Sequence, residues 1–203
     1  MFKKFMLVIM SIVLIGTLIP SSHIKAAQSN LSPNEDPHEQ LIKKADKYID
    51  LKENEYVIIN EEKLFEQLTN DEYKVVISLI KEANTKLQDI DFSSDNVSIV
   101  NNGIVVKPTI DSENDGITLL KEGKRAIKFH WWGFELWLTK TDVRAITKGG
   151  IVGGATYLGS LFGNIGGAVA GAIVGAILSE YVTGKALYIK YYYATRYTVV
   201  LPQ

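Results

Sequence analysis

Residues 149–179 read GGIVGGATYLGSLFGNIGGAVAGAIVGAILS and hold ten of the chain's 16 glycines. No Asp, Glu, Lys or Arg falls among these 31 residues, which Lys148 and Glu180 bound. Gly159, Gly163, Gly167, Gly171 and Gly175 recur at every fourth position. On a helix that spacing makes a shallow groove without side chains, where a second helix can approach closely. Each glycine weakens a helix by roughly 0.8–1 kcal/mol relative to alanine, so ten cost on the order of 8–10 kcal/mol. Close backbone packing, a bilayer, or both must offset that. Gly163-Asn164 lies near the middle, so the stretch is either one long helix or two helices folded as a hairpin. A membrane span needs about 20 apolar residues, which one helix over 151–178 exceeds and each arm of a hairpin does not reach.

Immediately upstream, residues 127–139 read IKFHWWGFELWLT and hold all three tryptophans. Ile127, Phe129 and Trp131 alternate on one parity, and Trp132, Phe134, Leu136 and Leu138 on the other. A period of two that changes phase at Trp132-Gly133 predicts strand interrupted by a bulge or sharp turn. Two roles stay open for this stretch. It is a core strand pair, or Trp131, Trp132 and Trp137 are anchors at a bilayer boundary, which tryptophan favours. Thr139 or Thr141 then caps a helix with Asp142 in its first turn. Lys140, Arg144 and Lys148 on that helix are candidates to meet lipid head groups. Downstream, Gly184 stops the ladder, and residues 185–201 are strand-like, with Tyr188, Tyr191, Tyr192, Tyr193 and Tyr197. The β-prone segments on either side are expected to pair across the ladder.

The N-terminal half has a different character. A basic start at Lys3-Lys4 and an apolar run over residues 6–20 predict an export signal ending at Ala26, and a polar linker follows. Asp36-Pro37-His38-Glu39 predicts a helix start, with Leu41, Ile42, Ala45, Tyr48 and Ile49 at helical spacing. Asn60 caps a short helix. Thr69-Asn70-Asp71-Glu72 is a capping box that opens an amphipathic helix with Tyr73, Val76, Ile77, Ile80 and Leu87 on one face. Residues 97–106 predict a β-hairpin in which Asn102-Gly103 supplies the positive φ angles of a tight turn. Asp111, Glu113 and Asp115, with Gly116 and Glu122, approach the spacing of a calcium loop. An acidic surface turn is the competing account, since Glu is long for the third loop position and a helix does not precede it.

The overall charge of −1 hides an asymmetry. Residues 27–118 carry 19 acids against nine lysines, a net of −10, and residues 119–203 carry ten Lys and Arg against four acids, a net of +6. A basic half favours anionic lipid, and the acidic half is equally able to dock onto it. The absence of cysteine excludes disulfides, thiolate metal sites and thiol catalysis. The three histidines are scattered, and no hydrolase, zinc-protease, P-loop or dinucleotide motif is present. No enzymatic activity, cofactor or nucleic-acid partner is expected.

The sequence therefore predicts an α+β chain, mainly helical. It comprises a signal peptide (1–26), a linker (27–37), an acidic helical unit with a β-hairpin (38–118) and a basic aromatic and glycine-zipper region (119–203). The last contains a Trp-rich strand region, a Gly-rich helical hairpin or single long helix, and a C-terminal Tyr-rich strand. His130-Trp131-Trp132-Gly133 followed by the glycine ladder resembles secreted bacteriocin-like proteins of Gram-positive bacteria. That resemblance covers about residues 130–184 and implies an antimicrobial or toxin that permeabilises membranes. The acidic N-terminal half and the general type of export signal depart from it. The expected partners are a lipid membrane and further copies of the chain, associated through the ladder. Two other functions fit the same residues: a membrane-anchored surface protein, and a soluble extracellular binding or structural protein with the ladder as a buried hairpin.

Overall fold

The computed structural model describes residues 37–108, 122–179 and 184–203. The expected signal peptide lies outside the described residues, as do Asp111, Glu113 and Asp115. Pro37 opens helix α1 (Pro37–Ala45), which runs through a 3-10 turn into β1 (Ile49–Lys52) and β2 (Glu55–Ile58). Helix α2 (Glu61–Gln67) starts where the Asn60 side chain accepts the Lys63 backbone N–H at 3.0 Å. Helix α3 (Asn70–Leu87) starts at the expected capping box, in which Thr69 and Glu72 each bond the other's backbone N–H.

The β1–β2 pair has no third strand, and asparagine amides take that place on both edges. Asn84 on α3 accepts from the Tyr56 N–H and donates to the Tyr56 carbonyl, at 2.8 and 3.0 Å. Asn102 accepts from the Leu51 N–H and donates to the Ile49 carbonyl, at 2.7 and 2.8 Å. A primary amide has a donor and an acceptor side by side, so it satisfies a strand edge much as a neighbouring backbone does.

Strands β3 (Val97–Val100), β4 (Gly103–Val106), β5 (Ala126–His130), β6 (Gly133–Leu138), β7 (Leu187–Tyr192) and β8 (Tyr197–Pro202) form one antiparallel sheet in sequence order. The chain is thus α+β, with more sheet than the sequence led us to expect. The sheet also runs across the expected unit boundary at residues 118 and 119, because β4 pairs with β5. The β3–β4 turn differs by one residue from its predicted position. Asn101 and Asn102 hold the positive φ angles, 49° and 56°, and Gly103 is the first residue of β4. There a Cβ would press on the Lys128 side chain.

The phase change at Trp132-Gly133 is a hairpin. Trp131 and Trp132 form its two-residue loop, and His130 pairs with Gly133. Gly133 is required by close approach, since a Cβ would overlap the Tyr191 carbonyl of the next strand. The strands flanking the glycine ladder pair as expected, from Gly133↔Tyr192 to Leu138↔Leu187.

Between those neighbouring strands stand α4 (Lys140–Phe162) and α5 (Asn164–Ser179). The ladder is therefore a helical hairpin turned at Gly163 (φ 64°, ψ −146°). A second joint at Gly150 (φ 61°, ψ −157°) divides α4. Both conformations belong to a region of backbone space open essentially to glycine alone. Leu158, Leu161, Phe162, Ile165, Val169, Ile173, Val174 and Ile177 of the hairpin are buried in one core with Phe129, Phe134, Leu136, Leu138 and Ile189 of the sheet.

Candidate functional site

The hairpin presents two different sets of glycines. At Gly166 a Cβ would overlap the Leu158 carbonyl, and at Gly154 it would lie 3.1 Å from Val174. These two positions let α4 and α5 approach. The five ladder glycines do not serve that contact. Gly159, Gly163, Gly167, Gly171 and Gly175 have nothing within 4 Å of a built Cβ, and Gly163, Gly167 and Gly171 are exposed. Within one chain the ladder is an open face and not the zipper that the spacing suggested. Side-chain volume decides the difference: the large residues Ile165, Val169, Ile173 and Ile177 turn to the core, which leaves the glycines outward.

Lys140, Arg144 and Lys148 follow one another at four-residue intervals along the first part of α4. Arg144 and Lys148 are exposed, and Lys140 is half-buried. After the Gly150 joint, Ile151 and Val152 project at 70% and 80% exposure, higher than any other large apolar residue described. A row of cations thus borders an uncharged, partly apolar outer face. Among the described residues no helix is long and apolar enough to cross a membrane. The 16 residues of α5 extend about 24 Å, short of the ~30 Å hydrocarbon layer.

The tryptophans expected as interfacial anchors are differently placed. Trp131 and Trp132 are only 1% and 6% exposed. The Trp131 indole donates to Asp46 at 2.9 Å, fastening the 3-10 turn to the sheet. Trp132 stacks on His130 with ring centroids 4.6 Å apart. In this fold both are core residues, Trp131 held by Asp46 of the 3-10 turn and Trp132 by the rings of His130 and Tyr192. Trp137 is half-buried on the sheet face that also carries His130, against Tyr188 and under the Lys124 ammonium, 3.7 Å from its ring centroid.

That face also carries Glu135, which accepts the Tyr188 hydroxyl and lies 3.2 Å from His130 Nε2. Burial raises the Glu135 pKa, but the bonds from His130 and Tyr188 outweigh it and hold the carboxyl down to about 2. Burial, and then the same pairing, hold the Tyr188 phenol well above its ordinary range.

Of the calcium candidates only Glu122 lies among the described residues, where it accepts the Thr141 hydroxyl at 3.0 Å. No group of three or more His, Asp and Glu able to hold a metal occurs among the described residues. Comparison of the chain with protein-family models, with curated proteins and with solved structures finds no match.

Proposed function

We propose that this is an exported, membrane-active protein of the bacteriocin-like kind, and that the α4–α5 hairpin is the element that engages lipid and further copies of the chain. The observation that carries this is the open glycine face. Four helical glycines, Gly159, Gly167, Gly171 and Gly175, have open space where a Cβ would stand and weaken the hairpin in water by roughly 0.8–1 kcal/mol each relative to alanine. Gly154 and Gly166 are compensated by close packing within the chain and Gly163 by the turn it makes; the other four are compensated by a surface outside the chain. The lack of charge on residues 149–179 suits lipid, and the Lys140, Arg144 and Lys148 row suits anionic head groups beside it. Neither arm is both long and apolar enough to cross a bilayer, so the hairpin lies in the interface or opens at Gly163 into a longer helix.

A leakage assay on dye-loaded anionic vesicles tests this. Wild type releases dye, and Gly167→Leu with Gly171→Leu reduces release severalfold by filling the groove. Equal release from that variant removes the glycine face from the mechanism.

One observation favours a second function. The Gly154 and Gly166 contacts, with the burial of the hairpin's large side chains, suit a soluble extracellular structural or binding protein. Wild type that neither binds nor permeabilises vesicles supports this alternative.

A further inference from the structure

A cavity of about 210 Å³ opens where α3, the sheet and α5 meet. Its walls are apolar on two sides, with Phe134 stacked on Tyr191 at 5.0 Å and Ala172 of the hairpin. Its charged groups come from two elements. Glu82 and Lys86 stand one turn apart on α3, and Arg196 comes from the β7–β8 turn with φ at +52°, the left-handed region rarely used by a long side chain. None of these three forms an ion pair with another described residue.

Tyr193 supplies an independent observation. Its side chain lines the cavity, the residue is 3% exposed, and its hydroxyl is the one buried side-chain polar atom without a hydrogen-bond partner among the described residues. A buried hydroxyl left unpaired is costly, and native chains seldom keep one without a use. Burial pushes this phenol far up, so it remains a neutral donor at any physiological pH.

We propose that this cavity binds a small zwitterion in which a phosphate ester is joined to an ammonium group, with Lys86, Arg196 and the Tyr193 hydroxyl on the phosphate and Glu82 on the ammonium. Charge matching supports the class. Two cations and one carboxylate line the site, and a phosphate monoester carries about −1.5 to −2 at pH 7, offset by one ammonium. An amino-acid carboxylate leaves one cation uncompensated. Size supports it too: 210 Å³ is the share of about seven waters, below the ~300 Å³ at which drug-sized pockets begin. The site's charged groups lie outside α4 and α5, although Val169 and Ala172 of α5 form part of its wall.

Isothermal titration of the full mature chain with phosphoethanolamine, inorganic phosphate and ethanolamine tests this. Phosphoethanolamine binds one per chain, and each half alone binds more weakly. Arg196→Gln and Glu82→Gln each lose roughly tenfold in affinity, the scale of one charge-assisted bond. Tyr193→Phe loses affinity while its ligand-free melting temperature stays the same or rises, which a purely structural hydroxyl does not predict. A lipid headgroup joins the same ammonium to a phosphodiester of a single negative charge, so charge matching favours the free monoester over it. Binding of the free ester without flotation on phosphatidylethanolamine vesicles assigns the soluble source. Flotation on those vesicles but not on phosphatidylcholine, lost in Arg196→Gln, assigns the headgroup. No binding in either arm, or equal binding by all three variants, overturns the site.

Discussion

Arg125 and Asp142 are joined by two hydrogen bonds, from Nε at 2.7 Å and from Nη2, onto a carboxylate with no solvent exposure. The same carboxylate accepts the Thr139 backbone N–H at 2.9 Å and the Tyr157 hydroxyl at 2.7 Å. One side chain therefore ties the approach to β5, the start of α4 and the part of α4 beyond the Gly150 joint. Burial and this pairing push the Tyr157 phenol up to about 12. Asp142→Ala leaves a largely buried guanidinium uncompensated, and about 3–5 kcal/mol of stability is lost. Replacing both partners, as Arg125→Met with Asp142→Leu, costs less than that single change. Urea unfolding of the three proteins checks this; a double variant as unstable as Asp142→Ala contradicts it.

Gly166 and Gly167 are adjacent and respond to alanine with opposite sign. At Gly166 a Cβ meets the Leu158 carbonyl, so Gly166→Ala forces the helices apart and lowers stability by about 1–3 kcal/mol. At Gly167 a Cβ meets nothing, so Gly167→Ala raises stability by about 0.5–1 kcal/mol through helix propensity. Thermal unfolding of the two single variants gives the order directly. Matching shifts of the same sign contradict the helix placement.

The α4–α5 hairpin depends on Gly163, whose φ of 64° and ψ of −146° an L side chain scarcely adopts. Gly163→Ala costs on the order of 1–3 kcal/mol, although the added methyl meets no neighbour. Such a loss reports backbone strain alone. A variant as stable as wild type by urea titration shows that α4 and α5 run together as one helix.

Sequence pattern revealed those elements whose signals are local. The Thr69 box and the Asn60 cap each follow from a few neighbouring residues, whereas the pattern left the α4 cap open between Thr139 and Thr141 and the ladder open between one helix and a hairpin. The paired strands around the ladder were legible because aromatic alternation is strong on both sides. The roles of Asn84 and Asn102 were hidden. Asn84 sits mid-helix, where it reads as a solvated residue, and its partner Tyr56 is 28 positions away. The open ladder was also hidden, since a four-residue glycine period gives a face but not the side that it turns to. The 210 Å³ cavity draws on four separate elements, and only the unpaired Tyr193 hydroxyl in the folded chain singles it out.

Glu135 makes stability depend on acidity. Its carboxylate accepts from Tyr188 and faces His130 and Lys128 on β5 and Lys190 on β7, while Lys190 also meets Glu39 of α1 at 3.1 Å. Its pKa falls from an ordinary 4.5 to about 2 in the folded chain. Between those values the unfolded chain binds a proton that the folded chain does not, so stability rises with pH across that window. The contribution is complete above about pH 5 and is lost as pH falls toward 2. A shift of this size on a mostly buried group is worth on the order of 2–3 kcal/mol. Glu135→Gln keeps the shape but removes the titration, so its stability changes less between pH 6 and pH 2.5 than that of wild type. Urea midpoints at those two pH values give the comparison, and parallel losses in both proteins place the acid sensitivity on another carboxylate.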